Sequence, residues 1–537
     1  MNQRQKPNGT KKKRRKKLFL SLGAKKLGKA GLFHLLFCAS LGAKKLNRCP
    51  WSAKFPPRYS KEANMSLKRL WSSFTFKPHQ LTGISWMLDR ESKPESGGLL
   101  CDEMGLGKTM EVLGMMLNNQ KKRTTLLLCP KAVISQWVEA AGKSGFNVSL
   151  IEDHVWSQVA GSKAYMPHLF ITNYEKIVGK PSLFKRVWAR IVLDEAHRVR
   201  NDKSEAYKCI AKMERETLWA VTATPIVNDI KDMNNLFKLV GFKSSRLNCP
   251  NDRLVVVEEA CLHRSMEEMR ATLKELPSAP IIVKDVLDFA TQEEEDFYRS
   301  VQGKIAARWK HIEHDNSTET FALLMKLRQL SLHPQVYIGA MKRKSILGGY
   351  GRPDWDEPST KFMALKQKIE DTQLPTRWIV FCQFHDEMEI LQAYLESSPA
   401  VNKVFQYHGG LTQEQKDAVI DETKVPLSQA EARHDVLLLQ LQSGGVGLNL
   451  QHFTKVVFMS PWWTAALMDQ AIGRAVRIGQ KETVEVFMFV LKEEETMNID
   501  ETMLEKAESK RGMLEKVFLH ASRGLPLPEA DAVVVVA

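Results

Sequence analysis

The run Asp102-Glu-Met-Gly105-Leu-Gly107-Lys108-Thr109 carries the most explicit chemistry in the chain. It follows the apolar run Leu99-Leu-Cys101 and opens a stretch of helical character. Gly105 and Gly107 let backbone N–H groups come close to phosphate oxygens. Lys108 is placed for the β- and γ-phosphates of a nucleoside triphosphate, and the Thr109 hydroxyl for Mg²⁺. A helix N-terminus adds a favourable field for an anion. ATP and Mg²⁺ are therefore the expected cofactors. Asp194-Glu195-Ala196-His197 closes a second apolar run, Ile191-Val-Leu193. Asp194 suits the metal, and Glu195 suits the orientation of an attacking water as a general base. Gln80, in Phe76-Lys-Pro-His-Gln80, lies upstream of the loop and is expected to read the adenine edge. Far along the chain, Gln470-Ala-Ile-Gly-Arg474-Ala-Val-Arg477-Ile-Gly-Gln480 sets two arginines three apart, the spacing of one helix face. An arginine beside a γ-phosphate stabilises transition-state charge, with effects of about 10³–10⁵ in rate. The glycine-rich Gln442-Ser-Gly444-Gly445-Val-Gly447-Leu-Asn449-Leu could approach phosphates through its N–H groups.

These groups need rigid elements behind them. Leu99–Cys101, Thr125–Cys129, Leu169–Thr172, Ile191–Leu193 and Leu218–Thr222 read as buried parallel strands, each followed by a turn and a helical stretch. The same rhythm returns at Trp378–Cys382, Val436–Leu439, Lys455–Met459 and Val484–Val490. The alternation predicts an α/β fold of two doubly wound parallel-sheet lobes. The charged, helical texture between them predicts an insertion. The expected divisions are a basic low-complexity tail (1–69), a first lobe (70–245), a helical insertion and linker (246–358), a second lobe (359–510) and a tail (511–537).

Bulk composition narrows the class. The chain has 537 residues, 43% hydrophobic and 26% charged, with no run as long as a membrane span. Its net charge of +16 is misleading. Residues 1–60 contain 17 Lys/Arg and no acid, which leaves 61 basic against 62 acidic residues in the remainder. A basic total is thus no argument that the folded body binds nucleic acid. Lys11–Lys17 reads as a nuclear address or a nucleic-acid contact. The apolar stretch Gly31–Ser40, between two copies of Ser-Leu-Gly-Ala-Lys-Lys-Leu at 21–27 and 40–46, keeps a signal or organelle-transit segment open. The eight cysteines include no C-x-x-C pair, so no zinc ribbon is written, and they read as reduced thiols.

Taken together, these motifs resemble the superfamily-two helicase-like ATPases, and specifically the Swi/Snf family, in order over residues 74–505. Glu103–Thr109 resembles the family's motif I, Leu128–Trp137 motif Ia, and Ile171–Glu175 the next block. Asp194–Asn201 resembles motif II and Thr222–Asn228 motif III. Trp378–Phe384 is similar to motif IV. Gly444–Leu450 with Pro461-Trp-Trp463 is similar to motif V and its extension, and Gln470–Gln480 to motif VI. Its ending, Arg-Ile-Gly-Gln, is specific to this family. Leu327–Pro334 resembles a segment near the start of the second half. The resemblance implies two RecA-like lobes and a double-stranded-DNA-dependent ATPase that translocates without strong strand separation. Nucleosomes or other DNA-bound complexes would be its partners, in chromatin remodelling or DNA repair, in the nucleus. It implies that Lys108 and Thr109 bind phosphate and Mg²⁺, that Asp194 and Glu195 serve metal and water, and that Arg474 and Arg477 meet the γ-phosphate. Thr222 and Thr224 would couple ATP state to DNA grip. The chain departs from the pattern at Cys101 (usually Ala), Ala223 (Gly), Val227 (Gln), Gly473 (Asp) and Val476 (His), none of them in the hydrolytic set.

A strand-separating or RNA-directed helicase and a catalytically dead ATP-binding scaffold are the competing readings. The charge distribution also makes an expectation of its own. Deleting residues 1–60 is expected to leave ATP hydrolysis largely unchanged while weakening DNA binding at low salt. Binding titrations over a range of salt check this; an unchanged affinity and salt slope would reject it.

Overall fold

Runs of Leu, Val and Ile short enough to cross a sheet once form the strands, and residue alternation sends their side chains to both faces. Leu99, Leu126, Ile191, Leu193 and Ala220 point to one side of the first sheet. Leu100, Leu127, Val192, Trp219 and Val221 point to the other. Both faces are apolar, so both must be covered by helices. In the computed structural model they are. Helices Pro78–Arg90, Lys108–Asn118 and Ile134–Lys143 cover one face, and Glu205–Lys212, Ile230–Val240 and Pro250–Ala260 the other. The structure describes residues 67–523, apart from 120, 153–154, 162, 180–183, 274, 310–316, 345–349, 428–432, 445–447 and 493–497. The chain divides into two units, 1–58 and 59–537. The basic tail, with its expected nuclear address, lies outside the described residues.

The first sheet comprises β1 (Gly97–Leu100), β2 (Thr124–Leu128), β3 (Asn147–Glu152), β4 (Val155–Ala160), β5 (His168–Thr172), β6 (Arg190–Asp194), β7 (Leu218–Val221) and β8 (Cys261–Leu262). Their order is β4-β3-β5-β2-β6-β7-β1-β8. All neighbours are parallel except the β3–β4 hairpin at the edge. Register brings the chemistry together. Asp194 pairs with Val221, and Val221 with Leu100, so β6, β7 and β1 end side by side. The carboxyl ends of parallel strands are where such sheets bind ligands.

The second sheet comprises β9 (Ile281–Leu287), β10 (Arg377–Cys382), β11 (Val401–Tyr407), β12 (His434–Gln440), β13 (Lys455–Phe458) and β14 (Glu485–Leu491), in the order β11-β12-β10-β13-β14-β9, all parallel. Ile379, Leu437 and Val456 face one apolar layer, and Trp378, Val380, Val436 and Phe489 the other. Two doubly wound α/β lobes are thus present.

Residues 246–358 differ from a helical insertion with linker. They hold the helices Gln292–Trp309, Ser317–Leu332 and Pro334–Lys344, which share one apolar cluster with Leu491, Ile499 and Met503 of the second lobe. They also supply β8 to the first sheet and β9 to the second. The reason is local. β8 is only two residues long, and β9 lies at an edge with Ile281, Ile282 and Val286 exposed, so neither reads as a buried run. The expected boundary at 510 falls inside one helix, Ile499–Arg523. That helix begins in the second lobe, with Ile499 and Met503 buried among the linker helices. It ends on the first lobe, with Val517 and Phe518 in that lobe's core and the Phe518 ring stacked 4.1 Å from His263.

The start of this helix is fixed by a buried ion pair. Lys361 Nζ donates to Asp500 Oδ2 at 2.6 Å with both side chains fully buried. Ser460 Oγ (2.9 Å) and the Leu491 N–H (3.1 Å) complete the Asp500 carboxylate. One residue on, Glu501 pairs with Lys284 at 2.9 Å, both about half exposed. Asp500→Ala is expected to cost about 3–5 kcal/mol by stranding the Lys361 charge. Glu501→Ala is expected to cost under about 1 kcal/mol. Denaturant unfolding of the two variants checks the contrast.

Candidate active site

The candidate phosphate-binding loop, Asp102–Thr109, takes its shape from two glycines. Gly105 (φ 91°) and Gly107 (φ 88°) both adopt the left-handed conformation, and Gly107 caps the helix Lys108–Asn118. A β-carbon on Gly107 would also come within 2.5 Å of Gln80 Nε2. Lys108 Nζ donates to Asp102 O at 2.6 Å and Glu103 O at 3.3 Å, holding the ammonium inside the loop. Thr109 follows in the first helical turn, half-buried. Gln80 is 4% exposed and lies against this loop. Its Oε1 accepts from Lys77 N–H at 3.0 Å and its Nε2 donates to Leu106 O at 3.3 Å. The amide expected at an adenine edge is therefore engaged with its own helix start and with the loop.

Asp194 and Glu195 leave the end of β6 side by side. Glu195 has φ 50°, the only positive φ of a non-glycine residue among those described. That conformation costs an L-residue about 1–2 kcal/mol, so the local bonds must hold it. Asp194 Oδ1 accepts the Glu195 N–H at 3.0 Å, and Asp194 Oδ2 accepts the Trp137 indole N–H at 2.7 Å. Burial raises the pKa of Asp194, and the neighbouring Glu195 charge raises it further. Burial also acts to raise Glu195, but the His197 hydrogen bond and the charges of His197, Lys108 and Arg474 outweigh it and hold Glu195 low. His197 Nδ1 stands 3.4 Å from Glu195 Oε2, 3.1 Å from Thr222 Oγ1 and 3.3 Å from Thr224 Oγ1. One imidazole thus joins the carboxylate to the end of β7.

The second lobe meets this arrangement directly. A β-carbon on Gly473 would lie 3.3 Å from Met104 Cβ, and one on Gly105 would lie 3.8 Å from Val476 O. A side chain at 473 would therefore require Met104 to give by a few tenths of an ångström. Arg474 is 4% exposed. Burial lowers its pKa to about 10, against the charge of Glu195 across the cleft. Arg477 is half-buried and also lowered by burial. The two arginines do not share a helix face. The helix Ala465–Ala475 ends between them, at a C-cap Val476 with ψ 83°. Arg477 occupies the following turn, closed by Gln480 N–H to Arg477 O at 2.9 Å and by Gly479 at φ 107°. Of the glycine-rich loop of the second lobe, residues 445–447 lie outside the described residues.

Fit to a metal ion rests on the donors present. No group of three His, Cys, Asp or Glu side chains forms a metal cage among the described residues. Mg²⁺ needs none, because it takes one or two carboxylates and completes its shell with water and phosphate oxygens. Each Asp194 oxygen accepts one hydrogen bond in the described contacts and retains lone pairs for a cation. With the Thr109 hydroxyl, this donor set fits Mg²⁺. Trp137 is a residue that sequence reasoning left without a role. It stands at the end of the Leu128–Trp137 block, inside the helix Ile134–Lys143, and a tryptophan N–H there gives no sign of its partner.

Comparison with known proteins finds domain matches over both lobes. A family model described as the SNF2-related domain matches residues 79–336. A second, the helicase conserved C-terminal domain, matches residues 360–479. The chain is similar to a probable global transactivator of Orgyia pseudotsugata multicapsid polyhedrosis virus, 26% identical over 474 residues, covering 82% of this chain and 91% of the relative. It is similar to chromatin remodeling factor mit1 of Schizosaccharomyces pombe, 24% identical over 471 residues, covering 81% of this chain but only 32% of that protein. Among solved structures, the Sulfolobus solfataricus SWI2/SNF2 ATPase core in complex with dsDNA covers 86% of this chain and is itself covered in full, at 20% identity and a TM-score of 0.38. The two domain models cover both lobes in order, and the chain belongs to the SNF2-related (Swi/Snf-type) family of helicase-like ATPases.

Proposed function

We propose that this chain is an ATP-driven motor that moves along double-stranded DNA, hydrolysing ATP in the cleft between its lobes. The observation that carries the reading is the contact of the phosphate-binding loop with the helix that bears Arg474, Met104 against Gly473, with Glu195 electrostatically facing Arg474. Loop N–H groups, the N-terminus of the helix Lys108–Asn118 and the Lys108 ammonium together make a cradle for the phosphates. Asp194 and Thr109 would hold Mg²⁺, which when bound neutralises charge on the β- and γ-phosphates. Glu195, kept ionised, can accept a proton from the attacking water. Arg474 and Arg477 approach from the other lobe and would neutralise charge developing on the γ-phosphate. Because they come from the second lobe, nucleotide binding favours lobe closure and hydrolysis removes part of that preference. His197 gives Thr222 and Thr224 a route by which the state of Glu195 reaches the end of β7.

Family membership and the chromatin-remodelling relative support duplex DNA, in nucleosomes or other DNA-bound complexes, as the track. Chromatin remodelling or DNA repair is the setting we assign, in the nucleus, addressed by the basic tail. No helix among the described residues is long and apolar enough to cross a membrane.

ATP hydrolysis measured without nucleic acid, with duplex DNA, with single-stranded DNA and with RNA tests the proposal. Stimulation by duplex DNA that is lost in Lys108→Ala is the expected result. Stimulation confined to single strands or RNA would replace a translocase with a helicase, and no turnover under any condition would leave an ATP-binding scaffold. In the same assay Arg477→Ala is expected to bind nucleotide nearly as well as the parent yet lose roughly 10³-fold or more in turnover. Trp137→Phe removes the hydrogen bond that orients Asp194. It is expected to raise the Mg²⁺ concentration for half-maximal hydrolysis by about tenfold, read from a Mg²⁺ titration at fixed ATP.

A further inference from the structure

Residues 261–273 run alongside the phosphate-binding loop and are bonded to it at several points. The Leu262 carbonyl accepts the Cys101 N–H at 2.7 Å, and the Arg264 carbonyl accepts the Glu103 N–H at 3.0 Å. The Met266 N–H donates to Glu103 Oε2 at 2.7 Å. Met266, Met269 and Leu273 close over Leu106 in a small apolar cluster.

Beneath this strap lies one guanidinium, that of Arg264, 2% exposed. Its Nε donates to both Asp102 oxygens at 3.0 and 2.9 Å. Its Nη2 donates to both Glu111 oxygens at 2.8 Å, and again to Asp102. Its Nη1 donates to the His79 carbonyl, in the helix that carries Gln80. Asp102 starts the phosphate-binding loop, and Glu111 stands in the first turn of the helix that follows it. Gly83 leaves room for this, since a β-carbon there would collide with Glu111 Oε2.

We propose that Arg264 is a positioning residue for nucleotide binding. It grips both ends of the phosphate-binding loop and fixes the loop's N–H groups and Lys108 in the phosphate-binding conformation. The proposal rests on reading the loop as the ATP site. The planar fork matters as much as the charge, because a single ammonium cannot reach Asp102, Glu111 and the His79 carbonyl together. Arg264 itself touches no phosphate-binding atom and acts through the two carboxylates.

Two variants test this in the full chain. Arg264→Lys keeps a buried cation but loses the fork. Gly83→Ala removes no polar group but displaces the Glu111 carboxylate from the other side. Binding of a fluorescent ATP analogue gives Kd, steady-state hydrolysis with duplex DNA gives KM and kcat, and thermal unfolding reports the folded fraction. Both variants are expected to raise Kd and KM by roughly tenfold or more, while kcat at saturating ATP changes less than threefold. If both unfold at lower temperature while the folded protein binds the analogue within twofold of the parent, Arg264 is purely structural and the proposal is overturned. If the parent itself fails to bind the analogue, the ATP-site reading fails instead, and the positioning role fails with it.

Discussion

Asp102 and Glu111 are both fully buried beneath the phosphate-binding loop, and Arg264 is buried with them. Taking each ion out of water costs several kcal/mol, and only close pairing with saturated hydrogen bonding offsets that. Burial still acts to raise the pKa of Glu111, with Arg264 opposing it. The demand for this cation shapes much of the surrounding chain. It draws residues 261–266 beside β1, which makes β8 the edge of the first sheet. It also fixes where the connection to the second lobe departs, because the chain enters β9 soon after this segment. The segment that joins the lobes is thus the one that supports the phosphate-binding loop.

Opposite charges face each other across the cleft in a similar way. Glu195 belongs to the first lobe and Arg474 to the second, and each shifts the other's ionisation. Neither is solvated as it would be on a surface, so their interaction is stronger than that of an exposed pair. The left-handed backbone of Glu195 fits this picture, because it turns the chain sharply after β6 and sets consecutive carboxylates in different environments. Asp194 is anchored by Trp137 and Glu195 by His197. The surrounding residues therefore give each of the two acids its own direction.

Much of this was legible in the sequence, for physical reasons. Strands buried on both faces must be continuously apolar, so Leu126–Leu128, Ile191–Leu193 and Leu437–Leu439 read directly as sheet. Gly105 and Gly107 mark positive φ, and Asp194 marks the end of a buried strand. Other parts were hidden. β9 mixes Lys284 and Asp285 into its apolar run because it lies at a sheet edge, and β4 is largely exposed. Arg264 sits in a charged stretch, and nothing within its own segment announces two carboxylates 153 and 162 residues away. Arg474 and Arg477 share a face only if the helix continues, and Val476 with the turn at Gly479 stops it. Spacing could name the arginines but not show that they reach the cleft from different local structures.

The helix Ile499–Arg523 has its first turn locked by Lys361 in one lobe and its distal end seated on the other through Phe518. Its 25 residues make a strut about 37 Å long. A strut of that length resists bending, so a large rotation of one lobe against the other is concentrated at its weaker anchor. That anchor is an aromatic seat and not a buried ion pair. Lifting a phenyl ring from an apolar pocket costs about 1.5–3 kcal/mol, and giving up a ring stack adds about 0.5–1.5 kcal/mol. One helix therefore bridges the two lobes with unequal ends, the first pinned by charge and the second held by apolar packing.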